Sequence, residues 1–299
     1  MLLGMTDLQT TGRRREVGAA LKRIRQERGL PAYRLAEQLD WTPSHISRSE
    51  AGKRRVTDVD AGHYLGMCGV PKGELLEVLK VVNEPDEYRL QLHDGRIPDE
   101  LQTLIFLEST ATQIHSFQPI YLPGVTQTAA YARAVFLETG LFDPSQIDLP
   151  VQIRMSRTTL LARPKPPLCM FFVHENALRS PVGGARVMGE QILHLLFLGN
   201  RRECAIRVVP TSAGARGMAD GSFQIFGYKA DPSLVCVQHE TTSEFLETEE
   251  EVASYRSVLK RVASVALDGA QSREFLAGLA SDFERQGDAQ GDTGGLEEE

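Results

Sequence analysis

Eight side chains in one short stretch have the types and spacing to do chemistry: Thr42, Pro43, Ser44, His45 and Arg48, then Lys53, Arg54 and Arg55. The first five place small hydroxyls, an imidazole and a guanidinium on one short helix, and the last three form a cationic run. Hydrogen-bonding groups of this size suit base edges in a DNA major groove, with the cations meeting phosphates. Arg48 is the strongest reader, because a guanidinium grips guanine O6 and N7 together, worth ~1–3 kcal/mol; a phosphate contact is its alternative. At His45, base contact, phosphate contact and solvent exposure stay open.

Several helices must hold this set in place. Glu16 to Arg28 repeats apolar residues at Val17, Ala20, Leu21 and Ile24, the stripe of an amphipathic helix, and Gly29 is placed to end it. Tyr33 to Leu39 reads as a second short helix. Asp40 and Trp41 make the turn, Asp being tolerant of a left-handed backbone. Thr42 suits an N-cap and Pro43 the first helical position, which sets a third helix from Pro43 to about Glu50 with Ile46 inward. A fourth helix is expected over Asp58 to Cys68 and a fifth over Lys72 to Val82. Residues 1–14, with Arg13, Arg14 and Arg15 at their edge, read as a flexible arm, and residues 83–98 as a linker.

This module, residues 15–82, resembles the XRE-type, lambda-repressor-like helix-turn-helix domain. The resemblance implies DNA contacts by Thr42, Pro43, Ser44, His45 and Arg48, and a phosphate grip by Lys53, Arg54 and Arg55. It further implies a buried ion pair between Arg25 and Glu50, and Ala36 as the small residue between helices two and three. Three positions depart from the family pattern. Pro31 and Ala32 replace a Thr-Gln whose Gln braces a phosphate, a role open to Arg34. Asp40 replaces a Gly, and Ser49 an apolar residue.

Charge divides the chain the same way. Arg13 to Arg55 holds twelve basic and five acidic residues, whereas Asn83 to the end holds nineteen basic and thirty acidic, a net of −11. A basic module on an acidic body is expected when only one part meets a polyanion. The four cysteines lie far apart and read as reduced, buried thiols. No spacing marks a metal site or a cofactor, and no apolar run approaches the ~20 residues needed to span a bilayer. A cytoplasmic location without membrane contact is expected.

The body, residues 99–285, reads as α+β with a small, partly antiparallel sheet. Helices are expected over 99–115, over AAYARAVFLE behind Thr128 as cap, over Met188–Leu196, Glu249–Ala266 and Ser272–Phe283. Strands are expected at Leu168–Val173 and Ala205–Val209, with a hairpin of Ser222–Tyr228 and Leu234–His239. Pro123-Gly124 reads as a turn with positive φ at Gly124. Residues 286–299 read as a disordered acidic tail.

Within the body, His174 to Arg179 gathers polar groups, but no nucleophile, base and oxyanion donor assemble from spacing, so no enzymatic role is expected. Glu175 reads as a loop carboxylate paired with Arg179. The glycines of SPVGGARVMGE precede a helix and suit either a phosphate or a plain loop. TSAGARGMADGS reads as a flexible loop, and Arg154, Arg157 and Arg163 as a solvated helix face with local ion pairs.

FQPIYLPGVTQTAAYARAVF, HENALRSPVGGARVMGEQILHL and VVPTSAGARGMADGSFQIF make the body similar to the C-terminal domain of actinomycete XRE-type regulators of the WhiJ-like, antitoxin-like group. That resemblance implies a homodimeric transcriptional regulator on double-stranded DNA with two half-sites, its body controlling dimerisation and partner or effector binding. An antitoxin-like protein that binds a small partner encoded nearby, or a small-ligand sensor, are its alternatives.

Overall fold

The structure, a computed structural model, describes residues 12–54, 56–71, 99–140, 142–229, 231–239 and 243–293. By compactness the chain divides into two units: Met1–Leu107 with Glu240–Glu251, and Glu108–His239 with Val252–Glu299.

In the first unit, α1 (Gly12–Glu27), α2 (Ala32–Leu39), α3 (Pro43–Glu50) and α4 (Asp58–Met67) follow the apolar periodicity. Leu21, Leu35, Ile46, Tyr64 and Leu65 are wholly buried and cluster with Val17, Ile24 and Ala36. Each such aliphatic side chain stabilises the fold by roughly 1.5–3 kcal/mol. The stops are local. Gly29 ends α1 with φ +65°, and Asp40 ends α2 in the left-handed region with φ +53°. The helix read over 72–82 and the linker over 83–98 lie outside the described residues.

α1 starts earlier than its apolar stripe. Arg13, Arg14 and Arg15 belong to its first turns rather than to a solvated arm, and Arg15 is buried. The cause lies after α3. Gly52 has φ +69°, and a Cβ there would stand 2.6 Å from the Arg15 nitrogen, so this turn seats the start of α1. Gly18 acts alike: a Cβ would come within 2.5 Å of the Ser49 carbonyl oxygen. α1 therefore lies directly against the last turn of α3.

The second part of the chain runs α5 (Asp99–Thr110), β1 (Gln113–Gln118), α6 (Ala129–Glu138), α7 (Asp148–Thr158), β2 (Leu168–His174), α8 (Glu175–Arg179) and α9 (Gly184–Gly199). It continues through β3 (Cys204–Val209), β4 (Ser222–Gly227), β5 (Leu234–Gln238), β6 (Ser243–Leu246), α10 (Glu249–Ala263) and α11 (Gly269–Thr293). The strand order is β3-β2-β1-β4-β5-β6. β1 pairs parallel with β2, and β2 with β3; β1 with β4 and β4 with β5 are antiparallel. The fold is α+β with a mixed sheet. The unbroken apolar run of β2 reflects a strand flanked on both edges and covered on both faces.

Two boundaries moved. The helix expected over 99–115 ends at Thr110, and β1 follows as an inner strand. Its signal is masked by buried polar residues, Ser116 and Gln118, which bond each other at 3.0 Å. α11 runs to Thr293, through the first part of the stretch expected to be a disordered tail. Leu276, Leu279 and Phe283 are buried and anchor it along α9. All four cysteines are buried free thiols. Among the described residues no helix is long and apolar enough to cross a membrane.

Candidate nucleic-acid interface

Helix α3 is built as its residues dictate. The Thr42 side chain accepts from the His45 N–H at 3.1 Å, and Pro43 takes the first helical position. Along α3, Ile46 and Ser49 are buried, while Ser44, Ser47 and Arg48 are exposed. Those three stand at i, i+3 and i+4, one continuous face. Ser47 was missed in the sequence, though this same spacing implied it. The Arg48 Nε donates to the Ser44 carbonyl at 3.3 Å. Thr42, Pro43, Arg34, Lys53 and Arg54 are also exposed; Arg55 lies outside the described residues.

What fixes α3 against α1 is a buried network. Arg25 donates through Nε to Glu50 Oε1 at 2.6 Å and through Nη2 to Oε2 at 2.9 Å. Its Nη1 donates to the Leu30 carbonyl at 2.7 Å, and the Tyr64 hydroxyl donates to Glu50 Oε1 at 2.6 Å. The expected pair is thus a three-residue network, with Tyr64 recruited from α4. The Glu50 bond holds Arg25 above its ordinary range, and burial followed by the Glu50 bond does the same to Tyr64. Both keep their protons at any physiological pH. Such a network specifies orientation more surely than it adds stability.

His45 differs from its neighbours. Its ring stacks on Trp41, centroids 3.9 Å apart and planes 7° from parallel, and its Nε2 is buried with no hydrogen-bond partner. Burial lowers its pKa, with Arg54 and Arg48 adding to the fall and Asp60 opposing it. The imidazole is therefore neutral near pH 7 and braces the start of α3.

In the second unit the groups that invited a site are engaged internally. Arg157 is buried against Glu108, at 2.9 and 2.7 Å, both side chains 3% exposed. Arg154 donates to Gln127 at 2.8 Å and lies over Phe136; burial and the nearby Arg157 pull it down to about 9. Arg163 lies beyond α7 and donates to the Ala111 and Lys165 carbonyls. These arginines form no solvated face, because each finds acceptors in the interior or in the backbone. Gly124 has no positive φ. It opens a 3₁₀ turn, and a Cβ there would approach Arg154 Nη1 to 3.0 Å, so the glycine makes room for the guanidinium.

The anion position at the start of α9 is filled from within, since the Gly183 N–H donates to Glu138 at 2.7 Å. Glu175 accepts from Arg179 at 2.6 Å and from the Thr211 N–H at 2.9 Å, on a short helix rather than a loop. Burial works against its ionisation, but these bonds prevail and its pKa falls. Residues Thr211–Gly217 form a kinked 3₁₀ segment, not an open loop, because Arg261 donates to the Ala215 and Arg216 carbonyls.

Comparison with known families divides the chain as its charge does. A helix-turn-helix domain family matches residues 16–79, the stretch holding α1 to α4 and the exposed α3 face. A domain of unknown function, DUF5753, matches residues 101–278. Neither the curated proteins nor the solved structures contain a match. With more than half of its length so matched, the chain belongs to the DUF5753 family and carries an N-terminal helix-turn-helix domain.

Proposed function

We propose that the protein is a sequence-specific transcriptional regulator that binds DNA as a homodimer, its C-terminal region governing dimerisation and the binding of partners or effectors. One observation carries the reading: the exposed Ser44, Ser47 and Arg48 face of α3, held by the Arg25–Glu50–Tyr64 network and followed by exposed Lys53 and Arg54. Arg48 reads a base; Lys53, Arg54, Arg55 and Arg34 meet phosphates, and the capped Thr42–Pro43 start sits against the backbone. His45 supports the helix from behind rather than reading. One such helix covers only a few base pairs, so useful specificity needs two half-sites about 34 Å apart.

Fluorescence anisotropy of the full chain on DNA from its own upstream region, across a salt series, tests this. Tight, salt-sensitive binding with preference over scrambled DNA is expected. Equal binding to both sequences, or none, refutes sequence-specific regulation.

A second reading has its own support. Leu193 and Phe197 stand at i, i+4 on α9 and are 59% and 66% exposed. Apolar side chains so displayed suit a protein contact, and in this reading a small antitoxin-type partner binds there while DNA binding serves autoregulation. Neither reading includes catalysis, a cofactor or a membrane.

A further inference from the structure

Where α9 ends, β3 begins and α11 starts, the second unit has a partly open cavity of about 180 Å³. Four arginines line it: Arg201, Arg202, Arg207 and Arg273. No carboxylate lies among its lining residues. The neighbouring acids are engaged or directed elsewhere. Asp268 accepts from the Ala270 and Gln271 N–H groups, and Glu274 lines a separate cleft.

Two of the arginines are held by neutral acceptors. Arg207 donates through Nε to the Leu267 carbonyl and through Nη2 to the Ala266 carbonyl at 3.0 Å, with its guanidinium over Phe172. Arg201 donates to the Leu161 carbonyl at 2.6 Å. A carbonyl fixes a guanidinium without cancelling its charge, and each keeps further N–H donors. Arg202 and Arg273 form no ion pair within the chain among the described residues. Leu195, Ile206 and Leu276 give the cavity an apolar lining.

We propose that this cavity binds a small, multiply charged anion of the phosphate or diphosphate class, free or as the head of a larger metabolite. Four arginines around one partly open space, with no carboxylate among the lining residues, raise the local positive potential and favour a multiply charged anion. A single carboxylate would leave most of that charge unmet. Guanidinium groups match phosphate oxygens two at a time. The cavity is smaller than the ~300 Å³ at which drug-sized ligand pockets begin, so it takes a charged group and leaves any attached body outside. The site is independent of the DNA-reading face.

Calorimetric titration of the full chain with inorganic pyrophosphate tests the proposal, alongside the variants Arg202→Gln with Arg273→Gln, and Arg54→Gln. Both cavity residues replaced are exposed and form no ion pair among the described residues, so folding, checked by circular dichroism, should survive. Saturable one-to-one binding is expected, weakened about tenfold or more by the double variant and unchanged by Arg54→Gln. Three results overturn the proposal: no saturable binding, loss of binding in Arg54→Gln alone, or binding of a hexaglutamate peptide with none of pyrophosphate. The second would place the anion on the DNA-reading face, and the third would make the cavity a peptide dock.

Discussion

The helix-turn-helix unit and the second unit each bury a bidentate arginine–glutamate pair, in different settings. Arg25 and Glu50 join α1 to the end of α3, 9% and 8% exposed, with the Tyr64 hydroxyl on the same carboxylate. Arg157 and Glu108 join α7 to α5, both 3% exposed. The first pair stands directly behind α3, whose Ser44, Ser47 and Arg48 face is exposed. The second is enclosed, beside Arg154. Burial of an ion pair is therefore no sign of function by itself: what the pair orients gives it meaning.

Breaking the enclosed pair should cost most. Glu108→Ala strands a buried guanidinium and should destabilise the second unit by about 3–5 kcal/mol in chemical denaturation. Replacing both partners with Leu and Met should recover most of that loss. If the double variant is as unstable as the single, the pair is not merely a buried charge to be neutralised.

Glu50→Gln should cost less, about 1.5–3 kcal/mol, since it weakens charge-assisted bonds while leaving an acceptor for Arg25 and Tyr64. Its larger effect should fall on DNA selectivity, read by comparing specific with scrambled DNA. Unchanged selectivity would mean that the network stabilises without orienting α3. Thr42→Ala removes the cap and should cost about 1 kcal/mol in thermal denaturation.

The smallest effect concerns pH. His45 has its pKa lowered in the folded state from an ordinary 6.5. The unfolded chain therefore binds the proton first, and stability should fall as pH drops below about 6.5. His115, His174 and His194 act in the same direction. The difference between wild type and His45→Gln, measured from pH 7.5 to 5.5, isolates the first unit's share. Identical slopes would show that the Trp41 stack does not exclude the charged imidazole.

Much of this molecule was legible in its residues, and the misses have a common physical form. The caps, the Asp40 turn, the apolar stripes of α1 to α4 and the strand β2 are local consequences of side chains and spacing. The Arg25–Glu50 pair was legible through family resemblance. Arg157–Glu108 was not, because its partners lie far apart in sequence and carry no local signature. The same holds for Gly18 and Gly52, whose need for glycine comes from another segment's backbone. β1 was hidden because its buried Ser116 and Gln118 satisfy each other and break the apolar pattern. The role of Tyr64 was not legible, because its aromatic body is buried as core while its hydroxyl serves Glu50.

The exposed face of α3 is the proposed reader of DNA. Selection of bound sites from a randomised DNA pool, run in parallel on wild type, Arg48→Ala and Arg54→Ala, tests it most directly. A two-half-site consensus is expected for wild type, with preference lost at one base pair per half-site in Arg48→Ala, worth about 1–3 kcal/mol. Arg54→Ala should keep the consensus and weaken every sequence alike. An Arg48→Ala variant that selects the wild-type consensus with undiminished preference at every position would contradict it.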